Sequence, residues 1–432
     1  MTKWFLALLI VALLGCTAAV AEESHYLELP TNNVKVSKKI TVTVSQENPV
    51  IDGINPITGE EWNGDYHPVL VNIDSHPDAL PHWGIASADI VYEMPVQKDG
   101  STRSAALFLS QVPDYVGPIR SARVPMASIR EMWDSAWVFY GWQNAAKKGD
   151  LVVDVVNWAT HLHEDARVKG RWVFPYVEGI ERNYSSFFHR EKDSEHIAPH
   201  NVQVDMREVM NLFTKESTKH PYKFTETGLD RGADVSHITI NYKTTSPQYI
   251  SEYSYNEELG LYERYRNNTP YIDGTTGMPT AYANVIVIRT DVSWYNNNAS
   301  RPVIQLIGQG TAEIFQNGKY IRGTWVRTHD AKNADDFASQ ASRMVILDEN
   351  GNELEMKVGK TFFQIVNTDQ PVIVTSAQEI EGATAQATPE PTATPKPTRT
   401  PKPTRTPKAS AATPAPVMDA EEEGDEDFTF GG

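Results

Sequence analysis

The sequence predicts an α+β protein, in which a mixed α/β N-terminal domain precedes a smaller, mostly-β domain and a disordered tail. Three observations lead to this fold class. Strand-like apolar runs alternate with helical patterns over residues 50–220, short strands without a convincing helix follow over 235–376, and Pro and Thr dominate from residue 383. Interleaved strands and helices are typical of α/β or α+β domains, and closely spaced short strands are typical of a barrel or sandwich.

The N-terminus has the organisation of a signal peptide over residues 1–21. Lys3 supplies a positive charge, and an apolar run of 11 residues follows it over 4–14. A membrane-spanning helix needs about 20 apolar residues, so this run is too short to cross a bilayer by itself. We therefore expect an exported protein, with residues 22–49 as a polar lead-in to the folded part.

Two ways of cutting this signal peptide stay open. The segment 13–16 (LLGC) resembles a bacterial lipobox, in which Cys16 is lipidated and becomes the new N-terminus. The segment 19–21 (AVA) resembles an ordinary signal peptidase site, with cleavage before Glu22 and secretion. We favour lipidation. Cys16 is the only cysteine, so either route leaves a mature protein without a disulfide or a thiol nucleophile.

The N-terminal domain, residues 50–220, is predicted to contain four strands and two helices. Runs rich in Val, Ile, Tyr and Phe predict the strands at 67–74, 88–94, 104–109 and 136–140. Apolar residues at helical spacing predict the helices at 124–133 and 202–214. Pro125 suits the first turn of the first helix, where its missing N–H costs no hydrogen bond.

The C-terminal domain, residues 235–376, is predicted to be almost entirely strand. Period-two alternation and β-branched residues predict strands at 238–242, 253–255, 262–265, 284–288, 303–307, 311–315 and 320–326. Asn317 and Gly318 form a sequence typical of a tight hairpin turn between the last two of these strands. One helix is predicted at 334–341.

The tail, residues 383–432, has the composition of a disordered segment. The hexapeptide TPKPTR occurs twice in tandem over 394–405, and residues 419–427 carry seven carboxylates. Such a segment cannot bury enough apolar area to offset the entropy of ordering it. We favour a passive spacer over the alternative that its basic block grips an anionic wall polymer.

Charge and motif content exclude several classes of function. The formal net charge of -17 argues against general nucleic-acid binding, which needs basic surface. The sequence contains no G-x-S-x-G elbow, phosphate-binding loop, H-E-x-x-H or C-x-x-C motif. His161 and His163 form the string closest to a metal site, but spacing indicates no third ligand, and a polar loop is favoured. We therefore predict no metal and no cofactor.

Two carboxylates of the N-terminal domain stand out. Asp74 ends an apolar strand, where α/β folds commonly place sites; the alternative is an aspartate that caps a loop. Glu93 lies inside the apolar run 90–93. If that strand is buried on both faces, Glu93 must be paired or must have a raised pKa. If Glu93 lies on an exposed face, its position has no functional meaning.

Arginines supply partners for these carboxylates. Arg103 stands at a strand start, and Arg120 and Arg123 flank Ser121 just before the helix at 124–133. A helix N-terminus beside two guanidiniums is suited to bind an anion. The alternative is that the arginines form structural ion pairs with neighbouring carboxylates.

An ordered series of short segments carries a family resemblance over about residues 50–370. They are NPITG at 55–59, NID at 72–74, ADIVYE at 88–93, TR at 102–103, GPIRSAR at 117–123, PHN at 199–201, ANVIV at 283–287 and GTW at 323–325. This series resembles the YerB-like lipoproteins, a bacterial family of unknown function with an N-terminal and a C-terminal domain. The resemblance implies a lipoprotein at the outer face of the cytoplasmic membrane and no settled activity.

The family's shared polar residues map onto specific positions here. They are Asp74, Glu93, Arg103, Arg120, Arg123, His200 and Asn201. The sequence departs from the family pattern at Ser75, where Asn is usual, at 99–101, where Gly-Gly is usual, and at 141–143. These departures weaken any strict transfer of a site's shape.

Three hypotheses of function follow. In the first, the protein binds an anionic or sugar-containing polymer of the cell wall or envelope through Arg103, Arg120, Ser121, Arg123 and Asn201. In the second, it hydrolyses such a polymer, with Asp74 or Glu93 as general acid or base and His200 as partner. In the third, the cluster is structural. Catalysis requires a carboxylate and His200 within hydrogen-bond reach.

Overall fold

The computed structural model describes residues 24–44, 47–143, 176–180, 184–192, 195–212, 217–243, 245–328 and 342–387. Several predicted features lie outside these residues. They are the signal peptide with Cys16, the pair His161 and His163, the helix at 334–341, and the tail beyond residue 387. None of the described helices is long and apolar enough to cross a membrane.

Strands dominate the described secondary structure, and two α-helices accompany them. The first part of the chain contains β1 (His25–Glu28), β2 (Val36–Ser37), β3 (Val69–Asp74), β4 (Ile90–Pro95), β5 (Thr102–Phe108), β6 (Tyr115–Val116), α1 (Val124–Trp133), β7 (Ala136–Phe139), β8 (Tyr176–Glu178), β9 (Phe188–Arg190), β10 (Val202–Asp205) and α2 (Met206–Asn211). Short 3-10 helices lie at Pro77–Ala79, Ile85–Ser87, Ser185–Phe187, Pro247–Tyr249 and Tyr295–Asn297.

The second part of the described chain contains strands and no α-helix. They are β11 (Lys223–Thr225), β12 (Ala233–Asn241), β13 (Ile250–Asn256), β14 (Leu261–Arg266), β15 (Thr269–Pro270), β16 (Ala281–Tyr282), β17 (Asn284–Thr290), β18 (Val292–Trp294), β19 (Pro302–Ile304), β20 (Gly308–Gln316), β21 (Lys319–Arg327), β22 (Val345–Leu347), β23 (Glu355–Lys357), β24 (Thr361–Asn367), β25 (Val372–Ser376) and β26 (Thr384–Ala385).

A long mixed sheet forms the centre of the fold. Its strand order is β8-β7-β3-β5-β4-β24-β17-β20-β21-β22. The parallel pairing of β4 with β24 joins the first part of the chain to the second within one sheet. β5 lies between β3 and β4 and is antiparallel to both, and no α-helix lies between these three strands along the chain.

The predicted fold class is therefore wrong. The first part of the chain is not a mixed α/β domain but a mostly-β segment that extends the same sheet as the second part. The local patterns located the strands, but they do not show that the run 104–109 pairs with both 67–74 and 88–94. Helix α1 packs on one face of the sheet instead of connecting parallel strands.

Both faces of this sheet are covered. On one face, Val71 and Phe108 pack in a core with Ile238 and Val374 from a second layer, ordered β14-β13-β12-β25-β1. On the other face, Leu70 and Leu107 of the sheet share a core with Met126 and Trp133 of α1. Burial on both faces explains why the strand sequences read as unbroken apolar runs.

The helix predicted at 124–133 is confirmed with the same bounds. Pro125 occupies its first turn, and the helix ends at Asp134, whose φ of 45° places it in the left-handed region. Nearly every residue of α1 is buried. Arg327 at the end of β21 donates from Nη1 to Ser128 Oγ at 2.7 Å and from Nη2 to the Ser128 carbonyl at 2.9 Å, so side-chain contacts join the helix to this strand.

The helix predicted at 202–214 is only partly right. Residues 202–205 form β10, which pairs with β9 and β6, and the helix begins at Met206. Val202 and Val204 alternate with polar residues and bury their side chains as strand residues do. Asp205 then caps α2, since its Oδ1 accepts a hydrogen bond from the Arg207 backbone N–H at 3.0 Å.

The hairpin predicted at Asn317 and Gly318 is confirmed. Both residues have positive φ angles, 53° and 71°, as the tight turn between β20 and β21 requires.

Candidate functional site

Asp74 lies at the end of β3, where three segments of the chain meet. Its Cα is paired with that of Arg103 on β5. The segment 117–123 runs along the other side of the strand, with the Asp74 N–H donating to the Pro118 carbonyl at 2.9 Å and the Arg120 N–H to the Asn72 carbonyl at 3.2 Å. Ladder and loop together bring two of the predicted arginines close to one buried carboxylate.

The Asp74 carboxylate has three direct partners. Oδ2 lies 2.6 Å from Nδ1 of His200 and 3.3 Å from Nε of Arg120, while Oδ1 accepts the His76 backbone N–H at 3.1 Å. Burial by itself raises the pKa of Asp74. The hydrogen bond with His200 and the charges of Arg103 and Arg120 outweigh it and lower that pKa well below its ordinary value. Asp74 is therefore ionised at neutral pH.

His200 presents its second ring nitrogen away from Asp74. Because Nδ1 is bonded to the carboxylate, Nε2 is the remaining polar atom of the ring, and it has no partner among the residues described. The imidazole of His76 stacks on that of His200, with ring centroids 4.0 Å apart and an interplanar angle of 12°. The His200 side chain is 15% exposed and that of His76 is 40% exposed. A ligand from solvent can therefore reach this pair.

His76, Asp78 and His200 also form a group with metal-ligand character. One nitrogen or oxygen from each lies within 4.8 Å of the others. Asp78 Oδ2 is 3.6 Å from His76 Nδ1. Burial and the neighbouring His200 lower the pKa of His76, whereas Asp74 and Asp78 oppose that shift.

His82 and two residues of the C-terminal half of the chain hold the backbone at the end of β3. His82 Nε2 lies 2.5 Å from the Asp74 carbonyl oxygen, and the Tyr271 hydroxyl lies 2.9 Å from His82 Nδ1. Arg266 Nη2 donates to the Ser75 carbonyl at 2.7 Å. Sequence reasoning missed His82, Tyr271 and Arg266. The sequence carries no local signal for contacts between residues that are about 190 positions apart.

The other predicted binding residues are more dispersed. Arg103 is buried and donates from Nη1 to the Ser121 carbonyl at 2.8 Å. Burial lowers its pKa to about 10, partly opposed by Asp74, so it stays charged at neutral pH. Arg123 immediately precedes α1 and donates from Nη1 to the Ala122 carbonyl at 3.0 Å. Of the two arginines predicted beside the helix N-terminus, Arg120 contacts Asp74, and Arg123 is the residue that caps the first turn.

Asn201 holds the loop that precedes β10. Its Nδ2 donates to the Glu191 carbonyl at 2.6 Å, and its Oδ1 accepts from Arg190 Nη1 at 3.0 Å. Both ends of the amide are used in fixing the segment that carries His200.

Glu93 is sealed in the core. Its Oε1 accepts from the Thr102 hydroxyl at 2.6 Å, and its Oε2 accepts from Arg264 Nη2 at 2.8 Å, among other donors. Ser251 and Gln364 also donate to Oε2, at 2.8 Å and 3.0 Å. Burial raises the pKa of Glu93, but Arg264, Arg266 and these hydrogen bonds reverse the shift and lower it. Glu93 thus joins β4 and β5 to strands of the second part of the chain.

The model of the family described as "Protein of unknown function (DUF3048) N-terminal domain" matches residues 57–219, and that of its C-terminal domain matches residues 238–363. The chain belongs to the DUF3048 family. The resemblance read from the sequence is confirmed.

Relatives of this DUF3048 protein include "Putative lipoprotein YerB" of Bacillus subtilis (strain 168). That protein is 24% identical over 372 residues, which cover 85% of this chain and 96% of the relative. The crystal structure of YerB from Bacillus subtilis aligns with a TM-score of 0.58 and 23% identity, covering 77% of this chain and 99% of that one. This similarity shows a shared fold.

Proposed function

We propose that this DUF3048 protein is an extracytoplasmic lipoprotein that binds an anionic ligand of the cell envelope at the cluster of Asp74, His200 and Arg120. The lipobox-like LLGC segment and the description of the YerB relative as a lipoprotein support anchoring through Cys16 at the outer face of the cytoplasmic membrane. Cleavage before Glu22 remains the alternative, and a Cys16→Ala variant separates the two. Under the proposal this variant leaves the membrane fraction.

The end of the Arg120 side chain carries the binding proposal. Its Nε lies 3.3 Å from Asp74 Oδ2 as an ion pair without a hydrogen bond, and its two terminal nitrogens donate to no residue in the described parts of the chain. The side chain is 24% exposed. A guanidinium anchored at one edge and open at the other is ready to donate two parallel hydrogen bonds to a phosphate or carboxylate.

Local charge favours the same ligand. Arg103, Arg120 and Arg266 lie around the end of β3. Within the described chain, none of them forms an ion pair with a carboxylate that has no other partner. Asp74 and Asp78 supply the negative charge. Arg266 also acts on Glu93, but Arg103 and Arg120 share the one buried carboxylate of Asp74, while Asp78 is exposed to solvent. This local positive excess attracts an anion even though the whole chain is acidic.

Cell-wall retention tests this proposal. The full chain in mild detergent is pelleted with purified bacterial walls, either intact or stripped of their anionic polymers. We expect retention on intact walls, a large loss on stripped walls, and at least a tenfold weaker retention of an Arg120→Gln variant. Arg231→Gln is the control, because Arg231 is a half-exposed arginine that pairs with Asp348 and Glu349 elsewhere. Equal retention of Arg120→Gln and wild type contradicts the proposal.

A second candidate is an envelope-polymer hydrolase that uses Asp74 and His200. The observation in its favour is the 2.6 Å contact, in which Asp74 fixes the imidazole and leaves Nε2 available to accept a proton from water. Glu93, the other predicted acid or base, is held by four buried donors. Release of soluble fragments from the same walls, lost in His200→Gln, would support this candidate. Retention without fragments supports binding alone.

A further inference from the structure

We propose that His76, Asp78 and His200 bind a divalent transition-metal ion such as Zn²⁺, with Asp74 as the carboxylate that orients His200. This goes beyond the proposed binding of an anion and does not require it. The sequence by itself predicts no metal site, because the spacing of its histidines and carboxylates indicates no set of ligands. The fold brings His200 to a pair, His76 and Asp78, that lies more than 120 residues away along the chain.

The donor set suits the ion. Two imidazoles and one carboxylate leave a fourth position open, as in zinc sites that also hold water or a ligand. Two ligand atoms about a tetrahedral zinc lie about 3.4 Å apart, given bonds of about 2.0–2.1 Å. His76 Nδ1 and Asp78 Oδ2 are already 3.6 Å apart, and one ligand atom from each of the three residues lies within 4.8 Å of the other two.

Asp74 supplies a second, independent reason to regard His200 as a ligand. Metal-binding histidines nearly always donate their other ring N–H to a carboxylate or carbonyl, which fixes the ring and makes the ligating nitrogen more basic. His200 has this arrangement, with Nδ1 on the buried Asp74 and Nε2 without a partner among the described residues. The Asp78 carboxylate likewise accepts no hydrogen bond within the described chain.

Binding requires one movement. The two imidazoles are stacked at 4.0 Å, so an ion cannot lie in the plane of both rings in this arrangement. His76 must turn, and its Nδ1 must give up the 3.2 Å hydrogen bond from the Asp78 N–H in order to bind the ion. Its side chain is 40% exposed, and among the described residues no side chain holds that nitrogen by a hydrogen bond, so the rotation meets little resistance. The bound ion would then lie beside Arg120 and add to the attraction for anions.

Metal titration of the full chain tests the inference. We expect one Zn²⁺ per chain by calorimetry, and for Co²⁺ the visible absorption of a tetrahedral complex. Asp78→Asn and His76→Gln should each weaken binding at least tenfold, and Asp74→Asn should weaken it 10- to 100-fold through His200. The matched control is His189→Gln, because His189 forms an exposed histidine–carboxylate pair with Glu191, its Nε2 being 3.0 Å from Oε1.

Three results would overturn the metal site. They are the absence of stoichiometric binding, wild-type affinity in Asp78→Asn, and an equal loss in His189→Gln. Wall retention measured in a chelator keeps the two proposals apart. If Arg120 binds the anion unaided, retention persists without metal, and a failed metal titration leaves that result untouched.

Discussion

Acidification should destabilise the protein through His82, which is fully buried beneath the candidate site. Since the Asp74 carbonyl can only accept, Nε2 of His82 must carry the proton, and Nδ1 then accepts from the Tyr271 hydroxyl. Protonating Nδ1 would destroy that second hydrogen bond and place a charge near Arg264 and Arg266. Burial, with help from these two arginines, lowers the pKa of His82 from 6.5 to about 3.

The sign and size of the effect follow from linkage. A base whose pKa is lower in the folded state contributes stability that is present above its unfolded pKa of 6.5 and is lost as the pH falls towards about 3. With these two values, the free energy of unfolding should fall by about 2 kcal/mol between pH ~7.5 and pH ~5 on account of His82 alone. Other partly buried histidines add their own slopes, so the comparison must be made against a variant.

Urea unfolding at each pH, with circular dichroism as the probe of the transition, measures this contribution to the free energy of unfolding. His82→Gln keeps a donor and an acceptor, so wild type should lose about 2 kcal/mol more than this variant over the interval. His189→Gln, at an exposed position, should follow wild type. If wild type and His82→Gln lose the same stability, His82 is not held neutral in the folded protein and the reasoning fails.

Three further predictions concern the core and the site. Glu93→Gln should cost about 3–5 kcal/mol in urea unfolding, because it leaves Arg264 charged in the core, and adding Arg264→Met should recover part of the loss. Gly100→Ala should lower Tm more than Gly228→Ala: both glycines have positive φ, but a Cβ at Gly100 would lie 2.1 Å from a backbone oxygen, whereas that at Gly228 meets nothing within 4 Å. Asp74→Asn should flatten the acid limb of the stability curve, because the lowered pKa of Asp74 makes wild type lose stability as the pH falls below about 4. Identical limbs would contradict that assignment.

Local sequence patterns predicted the elements well, and the predicted architecture failed where distant strands pair. The apolar run of β4 indicates a strand, but nothing in it indicates that β24, about 270 residues later, lies parallel beside it. Similarly, the first four residues of the helix predicted at 202–214 form β10, which pairs with β9 and β6. Tertiary packing determines which strands pair, and the strand propensity of a segment does not contain that information.

The candidate site was predictable in part. Asp74 at a strand end, two arginines on a loop, and His200 in a segment shared with the family were all found from sequence. Their convergence depends on the ladder between β3 and β5 and on the loop 117–123 lying along β3. The grouping of His76 and Asp78 with His200 could not be predicted, because the first two donors are two positions apart in the sequence and the third is remote.

The central claim is that the Asp74, His200 and Arg120 cluster binds an envelope anion. Side-chain nitrogen NMR of the histidines, recorded while a soluble anionic polymer released from cell walls is added, tests it most directly. The account predicts that the His200 and His76 signals shift in a saturable way, that His237 on β12 does not respond, and that Arg120→Gln abolishes the shift. Saturable binding with unchanged His200 and His76 signals would place the ligand elsewhere and contradict the claim.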